Sequence, residues 1–231
     1  MNRWMYKTDR YVMQAYVKAL KEDRNGGQTE EQHHNHARHS ENPLYKINIG
    51  SERYEGVIKN AYIFDQIHNT NVALVLSGSI HKMNSLYGEK TYDVNNNNAY
   101  AQLMFETEFT PSHSISTGLS FNHDCFNERW LLLPNLIKAP DENIGGVYAQ
   151  YTFNYDDSFV FMAGLRGDYS DLYGAFVTPR AHVRWNVSDL LKLRFSAGKG
   201  YRTPRPMLDN HTLLASSRDI IVDDNLKQEE A

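Results

Sequence analysis

Four imidazoles fall within seven residues in "HHNHARH": His33, His34, His36 and His39. Imidazoles this close in sequence can chelate zinc, copper or nickel, and they must be neutral to do so. Histidine clusters also occur in solvated loops that bind nothing. Glu30, Glu31 and Glu41 flank the cluster and can add ligands or simply keep the loop soluble. A second set is cationic. Arg166, Arg180, Arg184, Lys192 and Arg194 share one parity of neighbouring segments, so as strands these would put all five on one face. Such a wall suits an anionic chelate. Pairing with carboxylates of the wall, or of a domain seated against it, is the plainer use of the same charges. Covalent chemistry finds no such support. The chain has no G-x-S-x-G elbow and no H-E-x-x-H helix, and "GKGYRTP" (198–204) lacks the spacing of a phosphate loop. No catalytic residue and no resident cofactor are expected, and the protein is not expected to be an enzyme.

The elements that would carry these residues are strands. "AFVTPRAHVRWNV" (175–187) alternates almost without a slip: Val177, Ala181, Val183 and Trp185 on one parity, Thr178, Arg180, His182 and Arg184 on the other. The pattern resumes with Leu191, Leu193 and Phe195 against Lys192, Arg194 and Ser196. Period-2 patterning predicts nine strands, over about 3–22, 51–66, 70–86, 98–110, 113–126, 144–155, 158–170, 174–187 and 190–200. Alternation is poorest in 3–22 and 51–66. Short turns with Pro, Asp, Asn or Ser chemistry are expected at 66–70, 110–113, 155–158 and 187–190. Longer connections are expected at 23–50, 87–97, 127–143 and 201–231, the second because of the asparagine run 95–98. "SDLY" (170–173) is short where a long loop belongs.

Composition narrows the class. The chain of 231 residues is 41% hydrophobic and rich in Tyr (15) and Phe (10), so wholesale disorder is excluded and a β-rich fold favoured. A net charge of −4 gives no argument for a nucleic-acid partner. No window holds the roughly 18 consecutive apolar residues of a membrane helix, which leaves β-barrels untouched. Cys125 is the single cysteine, so no internal disulfide forms. The start "MNRWMYKTDRYVMQAY" lacks the apolar stretch of a signal peptide.

Ordinary strands run about 5–6 residues, whereas a strand crossing a membrane needs about 9–11. Most segments here reach that length. Apolar-out, polar-in alternation with short turns at one rim is the pattern of bacterial outer-membrane barrels. Trp185, Phe153, Tyr155 and Phe159 lie near the short turns, where an aromatic girdle belongs. A soluble β-sandwich binding module also has one apolar face per strand, but strand length and alternating loop length weigh against it. A passive porin-like barrel is the other alternative.

The C-terminal third is more specific. "SAGKGYRTP" carries S-x-G-x-G-[YF]-R-x-P as Ser196, Gly198, Gly200, Tyr201, Arg202 and Pro204. "GLRGD" carries G-[LVI]-R-x-D as Gly164, Leu165, Arg166 and Asp168. With these motifs the chain resembles the barrel of TonB-dependent outer-membrane receptors of the Bacteroidetes type, specifically over about 145–231 and more weakly over 1–144. The resemblance implies an outer-membrane location and energised uptake of a bulky, scarce ligand such as an iron chelate, haem, cobalamin or an oligosaccharide. It implies as partners the membrane lipid, a plug domain inside the barrel and the inner-membrane TonB complex. Such barrels have about 22 strands. The nine segments, with no plug domain, no signal peptide and no aromatic closing strand, lead us to expect a fragment: an open, strongly curved antiparallel sheet with edges at 3–22 and 190–200.

Overall fold

The structure, a computed structural model, describes residues 1–28, 44–131, 139–216, 218, 220–223 and 226–231. Among the described residues ten strands form one antiparallel sheet in chain order: β1 (Asn2–Lys7), β2 (Tyr11–Gly27), β3 (Lys46–Asp65), β4 (Thr70–Tyr87), β5 (Lys90–Thr110), β6 (His113–Leu131), β7 (Glu142–Tyr155), β8 (Phe159–Ser170), β9 (Gly174–Asn186) and β10 (Lys192–Gly198). The sheet is open, with β1 and β10 at its edges. A two-stranded ribbon pairs β11 (Tyr201–Arg202) with β12 (Glu229–Glu230). Between them lie a short helix α1 (Pro206–Asn210) and a 3-10 turn (His211–Ala215).

Three expectations about the strands need correction. The segment 3–22 is a hairpin, not one strand: Thr8–Arg10 reverses the chain, with the Thr8 amide donating to the Tyr11 carbonyl at 2.8 Å. Ten strands therefore replace nine. The expected loop 87–97 is a tight turn at Gly88 and Glu89, where Gly88 supplies a φ of +65°. The asparagine run lies inside β5: Asn96 donates to Asp124 at 2.8 Å and Asn98 to Asn122 at 2.9 Å across the β5–β6 pair. Asparagine disfavours strands in general, but here the inward amides of Asn96 and Asn98 find partners on the neighbouring strand. The expected connections 23–50 and 127–143 also shrink, because β2, β3, β6 and β7 run further than the alternation reaches.

The rims follow from antiparallel order. Turns at 8–10, 66–69, 111–112, 156–158 and 187–191 share one rim, here rim A. The strand ends Gly27 and Lys46, Tyr87 and Lys90, Leu131 and Glu142, and Ser170 and Gly174 share the other, rim B. The short turn 171–173 is tied to β7, its Asp171 accepting from the Asn143 amide at 3.0 Å and side chain at 2.7 Å. These bonds lower the Asp171 pKa below the usual carboxylate value.

Directly paired residues lie on the same face, so the register sorts every strand. One row runs Val177, Gly167, Val147, Leu119, Leu103 and Leu74. This outer face bears Leu165, Phe195 and Trp185, each at least half exposed. Aromatic residues gather near its two ends: Phe64, Phe109, Tyr155 and Trp185 toward rim A, Tyr54, Phe121 and Tyr169 toward rim B. On β9 the apolar row runs from Trp185 to Ala175. Ten steps of about 3.3 Å, tilted about 40°, rise about 25 Å, the height of the apolar band on a membrane barrel. On β4 to β6 the outer face turns polar beyond that band, at Lys82, Asn84, Asp93, Asn95, Asn127 and Arg129. These longer strands project past the lipid at rim B.

Candidate functional site: the inner wall

All five cations singled out from the sequence stand on the inner face. Arg184 lies directly opposite Arg194, Lys192 opposite Asn186, and Arg166 opposite Thr178. Their surroundings differ. Arg166 is fully engaged: its Nε and Nη2 donate to Asp168 at 2.6–2.9 Å, and Nη2 also donates to the Ser120 hydroxyl at 2.7 Å. Asp168 is buried. Gly146, opposite Asp168 on β7, makes room for this pair, since a Cβ there would sit 2.1 Å from the Asp168 carboxylate. Arg180 donates to the Gln150 side chain at 2.6 Å. Arg184 meets Asp157 at 3.4 Å, while its Nε is buried without a hydrogen bond. Among the described residues Lys192 and Arg194 take no ion-pair partner. The facing Arg184–Arg194 pair is a like-charge contact, which is unfavourable by itself. The five cations thus share one face, but Arg166 belongs to a closed structural network, while Lys192 and Arg194 at the sheet edge stand without an ion-pair partner among the described residues.

Between these residues lies a recess of about 580 Å³, lined by Gln102, Glu106, Tyr148, Gln150, Arg180 and Tyr201 among others. Of the five candidate cations, Arg166 and Arg180 line this polar concavity, and Arg184, Lys192 and Arg194 lie outside it.

The motif residues end β10 and turn the chain. Ser196 bonds the His182 ring at 2.7 Å on the inner face, and Gly198 closes β10 opposite Arg180. Gly200 exchanges two backbone hydrogen bonds with Ala231, at 2.8 and 3.1 Å. Tyr201 packs on Phe176 with centroids 4.9 Å apart, and Lys199 stands over the Tyr201 ring at 4.7 Å. The Lys199 pKa is raised, chiefly by its bond to Glu230. Arg202 pairs with Asp209 and, at 3.6 Å, with Glu229. Pro204 lines a second cavity, of about 260 Å³, beside Arg205 and Met207.

Sequence reasoning missed the polar centre at rim B. Glu142 is buried and accepts from Ser170 at 2.6 Å and from Thr203 at 3.0 Å. Arg205 lies 7% exposed beside it, donates to the Pro140 carbonyl at 2.8 Å, and stacks 4.1 Å above the Phe126 ring. Glu128 accepts from the Tyr92 hydroxyl at 2.5 Å and from the Ala139 amide at 2.8 Å. Nearby Tyr173 has a raised pKa, through burial first and the Glu142 charge second. The periodic signal that marks strands is absent from 203–216, so only the folded chain shows where Arg205 goes. The histidines of the "HHNHARH" stretch, His33, His34, His36 and His39, lie outside the described residues.

Comparison with known proteins accords with this geometry. The family model described as TonB dependent receptor-like, beta-barrel, matches residues 6–231. Among solved structures, the alcaligin outer-membrane receptor FauA of Bordetella pertussis superposes with a TM-score of 0.59 at 12% identity, over 87% of this chain and 35% of that one. The siderophore receptor PirA of Acinetobacter baumannii gives 0.56 at 11% identity, over 87% and 33%. PirA of Pseudomonas aeruginosa gives 0.52 at 12% identity, over 87% and 38%. At these identities the likeness speaks for the fold. The chain thus spans about a third of the length of the receptors it resembles, which fits an open sheet. No curated protein matches the chain in sequence. TonB-dependent receptors are transporters rather than enzymes, and they reside in the outer membrane. From the family match over nearly its whole length, the chain belongs to the TonB-dependent receptor β-barrel family and forms part of an outer-membrane barrel wall.

Proposed function

We propose that this chain is a segment of the barrel of a receptor that takes up a bulky, anionic iron chelate by energised transport. The observation that carries the reading is the open positive charge on the inner wall. Arg184 and Arg194 face each other, Lys192 stands beside them without a partner among the described residues, and Arg180 reaches only a neutral amide. A carboxylate-, catecholate- or hydroxamate-bearing ferric complex offers the missing negative charge, and so does a carboxylate of a plug seated in the lumen. The solved receptors named above for siderophores or for alcaligin share the fold, which supports the same ligand class. In this reading the residues bind and orient, and no covalent step occurs. Rim A with its short turns faces the periplasm, and rim B faces outside. The plug and the TonB complex would supply gating and energy in the whole protein.

The test is uptake. A strain lacking the receptor is fed radiolabelled iron on a panel of ferric siderophores, alongside labelled haem and cobalamin. Loss of uptake of one anionic ferric chelate, restored by the gene but weakly by Arg184→Gln with Arg194→Gln, is the expected result. Loss confined to haem or cobalamin, or no loss at all, would contradict it. His33, His34, His36 and His39 are proposed as surface zinc or copper ligands of micromolar order, tested by calorimetry on a 28–42 peptide at pH 7.5 and 5.5.

A further inference from the structure

The segment 203–216 does not leave the sheet for solvent. It runs back along the inner face at rim B and meets the strands in reverse order. Tyr201, just before it, packs on Phe176 of β9. Thr203 donates to Glu142 of β7. Arg205 stacks on Phe126 of β6. Met207 and Leu214 are buried with Met83 and Tyr87 of β4 and Tyr92 and Val94 of β5. The carbonyls of Ala215 and Ser216 accept from Tyr45 at 3.2 Å and from Lys90 at 2.8 Å. Sixteen residues, 201–216, thus cross from β9 to β4, a span of about 24 Å at the usual strand spacing.

The segment has little order of its own. Helix α1 holds five residues, and no side chain caps it. Its position rests on the wall, and the anchor near its start, Arg205, is imperfectly partnered. The Arg205 guanidinium makes one carbonyl hydrogen bond, while its Nη2 is buried without one, 3.6 Å from Glu142 and 3.8 Å from Asp124. A buried charge held at such distances keeps part of its desolvation cost. A segment with a single helical turn, held mainly by its contacts with the wall, has two natural positions: docked and released.

We propose that residues 203–216 are a releasable strap across the rim-B end of the inner wall, with Arg205 as its positioning residue. Docked, the strap covers the apolar wall formed by Met83, Tyr87, Tyr92, Val94 and Phe126. Released, it opens that wall and the Glu128 and Glu142 carboxylates to the lumen. The inference rests on this geometry and not on the ligand proposed above.

The experiment uses the whole receptor with Cys125→Ser and no other cysteine, carrying Met207→Cys or Leu213→Cys, purified in detergent. The rate of reaction with a maleimide dye is read for each, after heat-modified gel migration confirms a folded barrel. Met207 is 4% exposed and Leu213 is 55% exposed. With Arg205 intact, Met207→Cys should react at least tenfold more slowly than Leu213→Cys. Arg205→Ala should bring the two rates within about threefold, and Arg205→Lys, which keeps the charge but loses the fork and the stacking, should fall between. Equal rates with Arg205 intact, or a slow Met207→Cys in both Arg205 variants, would overturn the strap. The same labelling in intact cells with a membrane-impermeant maleimide tests sidedness alone. An unreactive Leu213→Cys there would overturn the assignment of rim B to the outside and leave the strap standing.

Discussion

The inner faces of β5–β6 and of β9–β10 belong to one sheet and solve opposite problems. On β5–β6 the polar groups close on one another. Asn96 and Asn98 donate to Asp124 and Asn122, Tyr92 donates to Glu128, and the rim-B end is covered by Met207 and Leu214. On β9–β10, at the edge of the sheet, Arg184 faces Arg194 and reaches Asp157 at 3.4 Å, while Lys192 and Arg194 take no ion-pair partner among the described residues. A wall that satisfies itself can serve as structure, whereas one that leaves like charges opposed needs a counter-charge from another element, whether the strand that would follow β10, a plug or a ligand. Within a single sheet, then, the inner charges of β5–β6 are paired across neighbouring strands, whereas those of β9–β10, at the open edge, await a neighbour.

The largest expected effect breaks the membrane setting that both walls share. Leu165→Arg puts a charge in mid-band on the outer face and should cost about 2–4 kcal/mol, read by urea unfolding of the receptor refolded in lipid vesicles. Next comes the closed network. Gly146→Ala drives a methyl into the Arg166–Asp168 pair and should cost about 1–3 kcal/mol in the same assay. Asp168→Asn should cost a similar amount by weakening the charged hydrogen bonds to Arg166. The open wall should respond in the other direction: Arg194→Gln removes a like-charge contact and should leave stability unchanged or raise it by up to about 1 kcal/mol, while weakening binding of an anionic chelate. A stability loss at Arg194 equal to that at Asp168 would erase the distinction between the walls.

The smallest effect is a pH dependence at turn 171–173. Asp171 has a folded pKa below its unfolded one, so its contribution is present above about pH 4 and fades as pH falls through the lowered value. Acid should therefore loosen this turn in the wild type, and Asp171→Asn should remove that step, as followed by the fluorescence of a dye attached at Leu172→Cys.

Much of this was legible in the sequence, because lipid on one side and water on the other impose alternation that period 2 reveals. Residues 175–187 showed which side chains share a face, and put Trp185 beside a turn, without a structure. The first hairpin was legible too, though it was read as a single strand: the outward apolar residues are even at Trp4 and Tyr6 but odd at Met13, Ala15 and Val17, and such a parity flip requires a turn. The asparagine run misled because its local preference is for turns, while its cross-strand amide bonds exist only in the paired sheet. Arg205 carried no signal at all, since its role depends on a segment that folds back across six strands.

The central claim is that the face holding Val177, Ala181 and Val183 meets lipid while the face holding Thr178, Arg180 and His182 meets the lumen. Nitroxide labels placed one at a time at 177, 178, 180, 181, 182 and 183 in the membrane-reconstituted receptor, read by spin-resonance relaxation, test it directly. The account predicts that collision with oxygen dominates at 177, 181 and 183, and collision with a water-soluble nickel chelate dominates at 178, 180 and 182. Equal accessibility of both sets to the nickel chelate would contradict it, and would return the sheet to a soluble protein.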